Sequence, residues 1–168
     1  MSDFSYQRIE RFVIGTIGLP GEREFYLQIL QEGSITSFAL EKNQALALAE
    51  RMRELLKEIR RRSSSSPSTY DRSAPDDLPL ALPVYSEFRL GEMSLIWVEE
   101  GSQIVFEASS ADDSEPGSVT ASLTLAQAAE FIRRTELVVS AGRAPCPFCG
   151  LPLNIEGHLC PRANGYRR

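Results

Sequence analysis

Cys146, Cys149, His158 and Cys160 stand in the order C-x2-C-x8-H-x-C, within fifteen residues of one another in a chain of 168. They are the three cysteines of the chain and its one histidine. Thiolate and imidazole are the ligands that tetrahedral Zn2+ prefers. The Cys-Pro-Phe-Cys-Gly turn lets two sulfurs reach one ion. His158 and Cys160, two residues apart in an extended chain, share a face. Eight residues separate the pairs, among them Pro152, Asn154 and Gly157, enough for a tight loop. The set predicts one bound Zn2+. Four protein ligands close the coordination shell, which makes the expected role structural.

Other chemistries fit the same residues less well. A redox CxxC usually opens a helix, and Pro152 and the turn residues around it oppose a long one. Haem attachment wants His directly after the second Cys, where Gly150 stands. Pro145-Cys146-x-x-Cys149 is like half of a zinc-deaminase motif, but no His or Cys precedes Cys146 to supply the rest. With its one histidine assigned to metal, the chain offers no Ser-His or Cys-His pair. Gly15–Gly21 is glycine-rich without a following Lys-Ser/Thr, and reads as a turn. After the last ligand come Arg162, Asn164, Tyr166, Arg167 and Arg168, a candidate contact element for an anion, RNA or an acidic protein surface.

Charge is unevenly placed. The net charge is −5, with −8 in residues 1–140 and +3 in 141–168. An acidic body opposes broad, backbone-driven nucleic-acid binding and leaves a local contact by the basic tail. No apolar run is near the length that spans a bilayer. The first residues lack the basic-then-apolar order of a signal peptide, and zinc-type cysteines suit a reducing compartment, so a cytoplasmic location is expected.

The elements that must position these groups fall into two similar halves. Residues 1–62 and 84–140 flank a Ser/Pro-rich stretch, 63–83, expected to be a flexible linker. Residues 141–168 form the zinc-binding tail. Phe12–Gly15 matches Phe88–Gly91, and Leu40–Ala45 matches Leu123–Ala128, which suggests an internal duplication. Strands are expected at Arg11–Ile17, Glu24–Leu30 and Ser34–Leu40, where Phe25, Leu27 and Ile29 alternate with their neighbours. A helix follows over Lys42–Arg61, with Leu48, Met52, Leu55, Leu56 and Ile59 as its apolar stripe. The second half repeats this order. Strands are expected at Glu87–Leu90 with Met93–Glu99, at Gln103–Ala108 and at Val119–Leu123. Thr124 and Gln127 then have capping-box spacing for a helix to Ser140. The predicted fold is α+β: a duplicated β-β-β-α unit forms a mainly antiparallel sheet with both helices on one face, plus a small zinc element.

The run Arg11–Gly21, Phe25–Gln28, Ala39–Lys42 and the ending Cys146–Arg168, with its Cys-Pro-Arg-Ala-Asn-Gly-Tyr-Arg-Arg close, resembles an uncharacterised bacterial family of unknown function with a zinc-ribbon-like C-terminus. The resemblance covers nearly the whole chain apart from the linker. It implies a cytoplasmic metal-binding protein and adds no activity. The leading expectation is a non-enzymatic binding or adaptor protein, with a protein partner and a homodimer as a further state. An RNA- or DNA-associated factor using the tail, or an enzyme with a cleft between the halves, are the alternatives.

Overall fold

The computed structural model describes residues 2–62, 75–141 and 147–149. These residues form an α+β fold with one seven-stranded, mostly antiparallel sheet and two long helices. In chain order the strands are β1 (Ser2–Tyr6), β2 (Arg11–Ile17), β3 (Glu24–Gln31), β4 (Ser34–Leu40), β5 (Ser86–Val98), β6 (Gln103–Ser110) and β7 (Gly117–Thr124). Helix α1 (Lys42–Arg62) follows β4, and α2 (Leu125–Ser140) follows β7. Across the sheet the order is β1-β7-β6-β5-β4-β3-β2, with parallel pairing only at β4–β5 and β1–β7. After β1, therefore, β-β-β-α occurs twice, and the two meanders join side by side through β4 and β5.

Local chemistry explains the elements. The β3–β4 turn carries Glu32 at φ 51° and Gly33 at φ 77°, the paired positive φ of a two-residue hairpin whose twist suits the flanking strands. Thr124 caps α2 through the expected capping box: its side chain accepts from the Gln127 N–H, and the Gln127 side chain accepts from the Thr124 N–H. The buried residues of α1, including Leu48, Met52, Leu56 and Ile59, repeat at helical spacing. The two expected strand pieces of β5 are one strand with a register shift between Leu90 and Met93.

The sheet cannot be flat. Six inter-strand steps of about 4.8 Å would separate β1 from β2 by roughly 29 Å. Tyr6 and Arg11 are joined by a connection that reaches only about 17 Å when fully extended. The sheet curls to close this gap. Phe12 on β2 meets Phe106 on β6 with ring centroids 5.4 Å apart, and Phe4 on β1 meets Phe38 on β4 at 5.5 Å. Tyr6 donates its hydroxyl to Thr36 Oγ1 at 2.6 Å inside the curl. The concave side holds one core, to which both helices contribute, with Phe38, Phe106 and Phe131 at its centre. β1 was not expected from the sequence.

Of the expected linker 63–83, residues from Pro75 onward are described, and they are anchored. This strap starts beside α2, passes the outer edge of β2 and crosses the convex face of β2 and β3 before entering β5. Leu80, buried, lies over Gly15, where even a Cβ would come 2.4 Å from the leucine side chain. Ala81 exchanges two backbone hydrogen bonds with the Gln28 side chain, at 2.8 and 3.1 Å. Gln28 is thereby buried on the face that alternation had assigned to solvent.

Candidate functional site

Arg134, Arg11 and Asp76 tie the strap to the sheet edge. β2 is the last strand of the sheet, so among the described residues its outward carbonyls have no ladder partner. Arg134 on α2, 5% exposed, donates Nε–H to the Ile14 carbonyl at 2.9 Å. Its Nη1 donates to the carbonyls of Asp76 and Leu78 at 2.8 and 2.6 Å. Arg11 grips both carboxylate oxygens of Asp76, at 2.6 and 3.0 Å. The Asp76 N–H donates to Glu130 Oε1 at 2.8 Å. A planar guanidinium with several fixed donors suits such a junction better than an ammonium.

The electrostatics follow the contacts. The hydrogen bond from Arg11 holds the Asp76 carboxyl below its ordinary range, against the opposing effect of burial. Burial alone would raise Glu130, but its bonds from Arg133 and the Asp76 N–H outweigh it and the carboxyl is lowered. Burial lowers Arg134. Tyr6 is raised, chiefly by burial.

Where α2 ends, Arg23 from the β2–β3 turn donates to the Val138 carbonyl at 2.8 Å, fixing the point from which the chain continues. Beside it lies an open groove of about 380 Å3 between Gly15, the strap at Leu78 and Leu80, and Leu137 and Val138 of α2. A second, wider cleft of about 550 Å3 lies on the sheet of the other half. It is lined by Glu92, Ser94, Glu107, Ser109, Ser118 and Thr120 among others.

Of the predicted zinc ligands, Cys149 is described: it is half-buried at the end of a turn over 147–149. Cys146, His158 and Cys160 lie outside the described residues, as do Arg162, Asn164, Tyr166, Arg167 and Arg168. Among the described residues no group of three or more His, Cys, Asp or Glu is placed to hold a metal ion. No helix among them is long and apolar enough to cross a membrane.

The sheet registers refine the match between the halves. Gln44 Oε1 accepts from the Glu41 N–H at 2.8 Å while its Nε2 donates to the Leu90 carbonyl at 2.9 Å. Gln127 does the same, accepting from Thr124 N–H at 2.9 Å and donating to the Ile9 carbonyl at 2.7 Å. The Leu40–Ala45 and Leu123–Ala128 segments thus share the contacts of their glutamines. The Phe12–Gly15 and Phe88–Gly91 segments do not correspond in register. Counting back from the capped residues, Ser37 corresponds to Thr120, and their ladder partners Gln28 and Glu107 correspond in turn. Gln28 faces Val13 and Glu107 faces Ser94, so Gly15 corresponds to Ile96. Gly91 sits instead at the irregularity of β5.

Sequence reasoning missed Arg134, Asp76, Gln28 and Glu107. The one available signal was Arg134 lying directly beside the buried stripe of Ala128, Phe131, Ile132 and Thr135.

The chain belongs to the family described as "Protein of unknown function (DUF3090)", which matches residues 4–160. No curated protein and no solved structure matches it at a significant level.

Proposed function

We propose that this member of the family is a non-enzymatic binding protein with one structural zinc. Cys146, Cys149, His158 and Cys160 hold the ion, and the curled sheet is the scaffold that carries the resulting element. The observation behind the reading is the C-x2-C-x8-H-x-C set, which gathers every cysteine and the one histidine and starts five residues beyond the α2 cap Ala141. Zinc would organise a Pro- and Gly-rich segment with little apolar surface of its own, because metal binding is folding energy in such elements. The element then places a contact surface for a protein partner beside the segment that carries Arg162, Asn164, Tyr166, Arg167 and Arg168.

The body supports a scaffold role. Its displaced titratable groups are engaged in the fold: Asp76, Glu130, Arg133 and Arg134 at the strap, Tyr6 with Thr36, Tyr26 with Glu24 and Asp112 with Ser114. The twin glutamine contacts at Gln44 and Gln127 support descent of the two halves from one duplicated β-β-β-α unit.

Elemental analysis of protein purified under reducing conditions tests the metal. One zinc per chain is expected, released by Cys149→Ser or Cys160→Ser, with the body still folded. Protein without stoichiometric zinc ends this reading. Capture from native lysate with and without residues 141–168 tests the contact role. Salt-sensitive retention of nucleic acid, lost in the triple variant Arg162→Ala, Arg167→Ala and Arg168→Ala, would replace the protein partner with RNA or DNA.

A further inference from the structure

The convex face of β5–β7 differs from that of β2–β4 in two ways that point to an occupant. The first is charge. Residues 90–124 hold seven Asp and Glu and not one Lys or Arg. Glu92 and Glu107 line the 550 Å3 cleft together with Ser94, Ser109, Ser118 and Thr120, and the Ser118 hydroxyl donates to Asp3 Oδ1 at 2.7 Å. Among the described residues, the carboxylates of Glu92 and Glu107 have no hydrogen-bond or ion-pair partner.

The second is what covers the corresponding place in the other half. There Gln28 and Ser37 are buried beneath the strap, and the Gln28 amide both donates to and accepts from the Ala81 backbone. Glu107 and Thr120 hold the same register positions. A carboxylate only accepts, so Glu107 cannot make the paired amide contact that Gln28 makes; it calls for donors. The strap lies close because Gly15 leaves room for Leu80. Ile96 stands at that position here, with a side chain 45% exposed that keeps a backbone at a distance. A long cationic side chain, reaching in from a chain that stands off the sheet, meets both conditions.

We infer that the occupant is the chain's own C-terminal segment, residues 161–168, whose Arg162, Arg167 and Arg168 pair with Glu92 and Glu107. Charge complementarity selects it: residues 141–168 carry +3 against an otherwise acidic protein. Length permits it. The nineteen residues from 142 to 160 span up to about 65 Å when extended, while a body of this size is roughly 35–40 Å across. A zinc site can therefore gather part of that length and still leave the segment in reach. Guanidinium groups match carboxylates in geometry as well as charge. The inference concerns residues beyond the last predicted ligand and does not depend on the metal.

The test is amide hydrogen exchange over residues 161–168 in the full chain, with zinc content measured on the same samples. Exchange in the Glu92→Arg/Glu107→Arg variant should rise about fivefold, the size that two exposed carboxylate–guanidinium pairs supply. Adding Arg167→Glu/Arg168→Glu should restore protection. Glu107→Gln, a near-isosteric change, should give a smaller rise in the same direction and covers the case of a misfolded reversal variant. Unchanged exchange in a folded variant overturns the inference. So does protection that disappears on dilution, which would assign the contact to a second copy. Loss of zinc with protection intact would count against the metal reading and leave this one standing.

Discussion

Arg134 and Ile14 are joined across the edge of the sheet: the guanidinium Nε–H of a helix residue caps a carbonyl of the last strand at 2.9 Å. The same side chain holds two carbonyls of the strap. An open edge strand is a template for pairing with other chains. Here a buried arginine and a crossing segment close it.

Replacing Arg134 with Met should therefore cost about 3 kcal/mol, because three carbonyls lose a charged donor in a buried place. Urea denaturation measures this. Arg134→Lys should recover little, since an ammonium cannot reach both β2 and the strap in one geometry. Aggregation of the Met variant is expected to rise as the β2 edge opens.

Acid should loosen the strap before it unfolds the body. The Asp76 carboxyl is depressed in the folded state by Arg11. A depressed carboxylate contributes stability that is present above its unfolded value near 4 and lost as pH falls through the folded value. The protection of the Leu78 and Ala81 amides, taken relative to the unstructured exchange rate at each pH, should fall below about pH 4 in the native protein. Asp76→Asn should show fast exchange there already at neutral pH and lose that acid dependence.

Thr135 has a fully buried hydroxyl with no hydrogen-bond partner among the described residues. Thr135→Val keeps the shape and removes the unpaired group. A gain of about 1 kcal/mol is expected in the same denaturation measurement.

Gly15→Ala should destabilise by about 1–3 kcal/mol, because the new methyl enters the space of Leu80. In the double variant Gly15→Ala/Leu80→Ala the two costs should be less than additive, as contacting sites are. Strict additivity would mean that the strap does not lie on β2 in solution.

How far the fold was legible depended on how local its causes are. Both helices and six strands follow from periodicity and caps within single segments, as Thr124 and Gln127 illustrate. β1 was hidden because Phe4 and Tyr6 are a short alternation whose ladder partner, β7, is remote in sequence. The strap was hidden because Pro75–Pro83 has linker composition. What orders it lies on other elements, at Arg11, Gln28 and Arg134. The proposed zinc ligands stand out in the sequence by type and spacing, whereas the Glu107 cleft emerges only when the two ladders are laid side by side.

β1 has a further consequence for biogenesis. Its ladder partner β7 begins at Gly117, more than a hundred residues downstream, and Phe4 also packs on β4 and β5. During synthesis β1 must wait while most of the body emerges, since long-range pairing cannot form before its partner exists. A chain interrupted before Gly117 leaves the sheet unclosed and Phe4 and Tyr6 without their ladder. Cellular proteases thus meet incomplete copies with the curl still open, whereas finished ones present a sheet whose two ends have been drawn together.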